Sequence, residues 1–203
     1  MKRLKWYKLA AMTIAIVLVG WLALTFWVEA DGPKRSWTFG EGSSLGSEIL
    51  IVYDPDPFYN LDEQLCRAFA KALSDSGFHG MVATVSAARE LKNGNFKAYV
   101  LCANTYNWRP DWSITSFIKK DIIIKDKPVI ALTVGSGSTE WSQANFEKII
   151  RQQHGKLIDS KSFWLMRPND ESRTGESNSN VAQSVVYYWA TQKVDDLRKF
   201  VIH

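Results

Sequence analysis

Apolar residues fall along this chain in three modes: one long unbroken run, several short unbroken runs, and stripes at helical spacing. The long run is Leu9 to Val28, twenty residues without a charge, interrupted only by Thr13, Gly20 and Thr25. At about 1.5 Å per residue it predicts a helix that crosses a hydrocarbon layer of roughly 30 Å. Besides the more polar Lys156 to Leu165, which reads as a fifth strand, the short runs are Ile49 to Tyr53, Met81 to Val85, Ala98 to Ala103 and Pro128 to Val134. Continuous runs of this length, rich in Val and Ile, predict strands buried on both faces of a sheet.

The helical stripes lie between and after these strands. Leu61, Leu65, Phe69 and Leu73 recur at four-residue spacing, flanked by Ala68 and Ala72, and predict a helix over Leu61 to Ser76 that ends at Gly77. Ile114, Phe117 and Ile118 predict a short helix from Trp112 to Lys120. Trp141, Phe146, Ile149 and Ile150 predict another from Thr139 to His154, and Val181, Val185, Tyr188 and Trp189 mark a closing one. Ile122 to Ile124 is too β-branched to prolong a helix and reads as a connector. Asn93-Gly94-Asn95 marks a turn, and Pro168 to Asn180 reads as a loop. Strands alternating with helices imply a parallel sheet with right-handed crossovers and helices on both faces, a doubly wound α/β domain. The expected layout is a basic tail at 1–8, a transmembrane anchor at 9–28, a Gly- and Ser-rich tether at 29–47 and the α/β domain at 48–203.

Charge sharpens the picture at the N-terminus. Four of the 25 basic residues, Lys2, Arg3, Lys5 and Lys8, precede the long apolar run, which leaves 21 basic against 21 acidic residues elsewhere. With a neutral body, nucleic-acid binding, which needs phosphate-neutralising cations on one face, loses its main support. Trp6, Tyr7 and Trp27 sit where interfacial aromatics anchor a spanning helix. The cation excess places the N-terminus in the cytoplasm and the domain outside. A cleaved secretory signal is the alternative, but its apolar core is usually only about 7 to 15 residues. The partner implied by residues 9–28 is therefore a lipid bilayer.

Candidate chemistry is sparse. Cys66 and Cys102 have no metal spacing and read as core filler, with a bridge left open. Asp54, Asp56 and Asp62 either hold a hard cation or are turn and helix-dipole carboxylates, and the second reading is preferred. His79, His154 and His203 lie at helix and chain ends, and Ser136 and Ser138 lack a nucleophile elbow. No catalytic residue stands out.

The strand Ile49 to Tyr53, the loop Asn104-Thr105-Tyr106 through Pro110, and Lys127 to Val134 followed by Gly135-Ser136-Gly137 come in an order that resembles the flavodoxin family and its quinone and flavin reductases. The resemblance runs over Glu48 to Lys199. It implies a five-stranded parallel sheet of order 2-1-3-4-5, preceded here by the single transmembrane helix, with FMN at the carboxyl ends of strands one, three and four. Carried over, Tyr106 or Trp108 stacks on the flavin, Asn104, Thr105, Gly135, Ser136, Gly137 and Ser138 meet the ring edge, and Tyr59 and Asn60 offer neutral polar contact to the phosphate. The implied function is membrane-anchored electron transfer or oxidoreduction, with a redox protein, a nicotinamide or a quinone as partner. The first loop departs from the family pattern. Asp54-Pro55-Asp56-Pro57-Phe58 stands where hydroxyls and free amides cradle the phosphate, and two prolines remove donors while carboxylates repel a dianion. A flavodoxin-fold domain without flavin, serving as a binding or scaffold module at the membrane, is the alternative.

Overall fold

The computed structural model describes residues 2–41, 48–91 and 94–201. It divides into two units, Met1–Ala30 and Asp31–His203. The first is one helix, α1 (Lys2–Val28), whose stretch Trp6–Val28 is long and apolar enough to cross a membrane.

The second unit follows the alternation of apolar runs. Its strands are β1 (Ser36–Phe39), β2 (Ile49–Tyr53), β3 (Gly80–Thr84), β4 (Ala98–Tyr106), β5 (Arg109–Pro110), β6 (Pro128–Gly135) and β7 (Lys156–Trp164). Its helices are α2 (Leu61–Asp75), the single turn α3 (Val85–Ala88), α4 (Trp112–Lys120), α5 (Glu140–Gln152), α6 (Asn178–Gln192) and α7 (Val194–Val201). The sheet runs β1-β3-β2-β4-β6-β7, with β5 paired to β4. The five parallel strands among these, counted by themselves, lie in the order 2-1-3-4-5.

Every residue of β2 is buried, because the strand is covered on both faces. Ile49, Ile51 and Tyr53 pack with Leu65, Phe69 and Leu73 of α2 and with Val186 and Trp189 of α6. Leu50 and Val52 point the other way, into a layer built with Ile114 and Phe117 of α4 and Phe146 and Ile150 of α5. The sheet is thus the middle of a doubly wound sandwich, as the strand-helix alternation requires.

Three expectations change. The sheet has seven strands rather than five, since β1 adds antiparallel to β3 at one edge and β5 folds back on β4. The expected tether is therefore part of the domain where it is described: Trp37 and Phe39 alternate inward, and Arg67 of α2 lies 4.0 Å over the Trp37 ring. Residues 42–47 of that tether, Asn93 of the expected turn and His203 lie outside the described residues. Trp141 and Tyr188, expected inward, are 76% and 66% exposed. Ile122–Ile124 is an irregular connector whose Ile124 is buried while Ile123 faces out.

Candidate functional site

The carboxyl ends of β2, β4 and β6 converge where strand order reverses, the place at which open α/β sheets form a crevice. A cleft of about 200 Å³ opens there between the loop after β2, the end of β4 and the end of β6. It continues into a shallower lobe of about 400 Å³ beneath the loop after β2. Six of the sequence-predicted residues come together: Tyr59, Asn104, Thr105, Tyr106, Gly135 and Ser136 line the deeper part. Asn60 lines the shallow lobe with Tyr59. Trp108, Gly137 and Ser138 line neither lobe. Trp108 instead sits at the tip of the β4–β5 hairpin, where Asn107 and Trp108 both take positive φ (50° and 59°), as a two-residue turn of this hand demands. Its indole is 68% exposed.

The loop after β2 is organised by its own carboxylates. Asp56 Oδ1 accepts from the backbone N–H of Phe58 (2.7 Å) and of Tyr59 (3.0 Å), and its Oδ2 accepts from the Tyr106 hydroxyl at 2.5 Å. The Asp56 N–H in turn donates to Asp62 Oδ2 at 2.8 Å. Asp62, in the first turn of α2, also accepts from the Glu63 N–H at 2.7 Å and from the Asn104 amide at 3.0 Å. The same Asn104 Nδ2 donates to the Asp54 carbonyl at 2.8 Å and so ties the ends of β2 and β4 together. Asn104's backbone is committed as well: its N–H donates to Asp111 Oδ2, and its carbonyl accepts from the Asp111 N–H. Asp111 caps α4 through the Ile114 N–H.

Behind this loop the chain that enters the domain forms a strap. The Gly32 N–H donates to Asp54 Oδ1 at 2.9 Å, the Ser113 hydroxyl donates to Asp31 at 2.5 Å, and Asp31 pairs with Arg89. Gly32 lies so close to the Pro55 ring that an added Cβ would stand 2.7 Å from Cδ. The strap seals Asp54 from water, leaving it 3% exposed. Burial pushes the Asp54 carboxyl up to about 7, against the opposing Gly32 amide, and the neighbouring Asp62 and Asp56 charges add to the rise. Burial likewise raises Asp62 to about 6, with the Asn104 amide opposing. The Tyr106 phenol is pushed far up, first by burial and then by its bond to Asp56. Among the described residues no group of three or more His, Cys, Asp and Glu is arranged to hold a metal ion.

An FMN phosphate does not fit this loop. The amides of Phe58 and Tyr59 and the Tyr106 hydroxyl, the donors a dianion would use, are taken by Asp56, and Pro55 and Pro57 have none. Gly135 has a packing reason to be glycine: a Cβ would stand 2.6 Å from Thr139 Cγ2 and 3.2 Å from Thr105 Cβ. Leu165, which also lines the cleft, carried no sequence signal beyond ending the last strand.

No family model matches the chain, and neither does any curated protein. Solved structures do resemble it. A flavodoxin from the domain Archaea aligns with a TM-score of 0.55 at 9% identity, over 74% of this chain and 97% of that one. Oxidised flavodoxin 2 from Bacillus cereus gives 0.55 at 14% identity, over 72% and 99%. A WrbA-like flavodoxin from Agrobacterium tumefaciens gives 0.53 at 12%, over 76% and 99%. The domain therefore has a flavodoxin-like fold.

Proposed function

We propose that this chain is a membrane-anchored flavodoxin-fold domain that does not hold FMN by its phosphate and acts as a binding module at the membrane. The observation that carries the reading is the Asp56 carboxylate, seated on the Phe58 and Tyr59 amides and the Tyr106 hydroxyl. A resident anion thus occupies the donors of the loop at the switch point of the sheet, where this fold forms its crevice. The apolar stretch Trp6–Val28 supports the anchor, and the cation excess before it supports a cytoplasmic N-terminus with the domain outside. Residues 1–8, 9–28 and the domain beyond them are the working division.

The competing reading is an FMN-dependent electron carrier or oxidoreductase with a redox protein, nicotinamide or quinone as partner. Its support is the meeting of Thr105 and Tyr106 with Gly135 and Ser136 in one cleft at the switch point of the sheet. On this reading Tyr59, Asn60, Asn104, Trp108, Gly137 and Ser138 would complete the flavin contacts. Purification of the full chain in mild detergent, followed by a visible spectrum and an FMN titration by fluorescence quenching, separates the two. The expected protein is colourless and leaves FMN fluorescence unchanged. A stoichiometric yellow cofactor overturns the proposal.

A further inference from the structure

Nine large apolar side chains stand exposed in the described part of the domain, and six of them crowd one end. Phe58 and Tyr59 follow β2, Trp108 tips the hairpin after β4, Trp112 opens α4, Trp141 opens α5 and Met166 follows β7, so all lie at the carboxyl ends of the parallel strands. Trp108, Trp141 and Met166 are 68%, 76% and 76% exposed, although each could have been polar at no cost to the core. At the opposite end the connector before β6 exposes Ile123. Cations accompany the rings: the Arg109 guanidinium lies 4.4 Å over Trp112, and that of Arg167 4.6 Å over Trp164, with Arg167 also paired to Glu140. Trp and Tyr rimmed by Arg is the composition that settles at a headgroup layer, where rings enter the acyl boundary and guanidinium groups meet phosphates.

The chain enters the domain at this same end. Asp31 and Gly32 are fixed there by Ser113, Arg89 and Asp54, and only Glu29 and Ala30 separate Asp31 from Val28, the last residue of the apolar helix. A flexible tether would let any face of the domain turn toward the bilayer. Only two residues lie between the apolar stretch and the bonded Asp31, too few for such a tether.

We infer that the carboxyl-end rim, from Tyr59 through Trp108 to Met166, docks on the lipid surface, so that the cleft inside it opens to the headgroup layer rather than to bulk water. The inference rests on the anchored reading. Its ligands are then drawn from the interface: amphiphiles whose polar part reaches Tyr59, Thr105 and Ser136 while an apolar part stays in lipid.

The test uses the full chain in lipid discs containing a nickel-chelating lipid. Nitroxide labels are placed one at a time by Tyr59→Cys, Trp108→Cys and Met166→Cys, with Ile123→Cys and Tyr188→Cys as controls. The native Cys66 and Cys102 are buried and should not be labelled. All five positions are exposed, so the folded state tolerates the changes. Spin relaxation enhanced several-fold by nickel at positions 59, 108 and 166, and not at 123 and 188, is the expected result. Equal enhancement at all five in discs that keep the chain through an alkaline carbonate wash overturns the docking and leaves the anchor standing. Release of the chain by carbonate overturns the anchor and the docking with it.

Discussion

Replacing Asp56 with Ala tests the reading of the first loop most directly. The carboxylate accepts two backbone N–H bonds and the Tyr106 hydroxyl, and each bond to a charged acceptor contributes about 1.5 to 3 kcal/mol when well buried. Asp56 is half-buried, so solvent screening brings each of the three bonds down to about 1 kcal/mol. Its removal also strands the Tyr106 hydroxyl, half-buried between the loops. A net loss of about 3 kcal/mol is expected for Asp56→Ala and about 1 kcal/mol for Tyr106→Phe, which leaves the two amide bonds intact. For a domain of this size each kcal/mol lowers the melting temperature by about 2 to 4 °C, so Asp56→Ala should melt roughly 6 to 12 °C below the wild type. In a double-mutant cycle the pair should be coupled by about 1 kcal/mol, because the second substitution finds the bond already gone. Differential scanning fluorimetry and urea titration of the four proteins in one detergent supply the numbers. If Asp56→Ala melts within roughly 2 °C of the wild type, the carboxylate does not organise the loop, and the argument against an FMN phosphate loses its basis.

Two further outcomes follow from buried groups. Asp54 and Asp62 titrate near 7 and 6 in the folded domain, above the ordinary carboxylate value, so the folded state binds protons more tightly and their contribution falls as pH rises from about 4 through 7; Asp54→Asn, which keeps an acceptor for Gly32, should flatten the dependence of urea midpoint on pH between 5 and 8, and an unchanged slope refutes the assignment. Glu63 and Asp159, held low by their hydrogen bonds and cationic partners, act in the opposite sense only below that window. Cys66 and Cys102 are free, buried neighbours, and the Cys102 thiol is pushed up by its contact with Cys66 and by burial. A thiol reagent should find neither in the native protein and both in urea, whereas a count of zero in urea would reveal a disulfide.

Much of the fold was legible because burial on both faces writes an unmistakable pattern. Ile49 to Tyr53 and Pro128 to Val134 carry no polar residue at all except Thr133, and such runs fit only an inner strand. The four-residue strand β1 was hidden: Trp37 and Phe39 have the right alternation, but four residues amid Gly and Ser are too short to outweigh a loop composition. Trp141 was misplaced by phase. The buried face of α5 repeats through Ser142, Phe146 and Ile150, and a residue one step off that series is turned about 100° away. The site was less legible than the fold. The acidic loop announced a departure from the family pattern, yet its closure by Tyr106 joins residues fifty apart, and no local spacing encodes that bond.

The edge strand β1 also sets an order of events during synthesis. Ser36 to Phe39 leave the ribosome before everything they rest on: β3 at Gly80–Thr84, the Tyr53 ring against Trp37, and Arg67 over that same indole. The stretch that follows the apolar helix therefore stays unpaired until some forty more residues have emerged, and the strap at Gly32 closes only when Asp54 arrives to receive it.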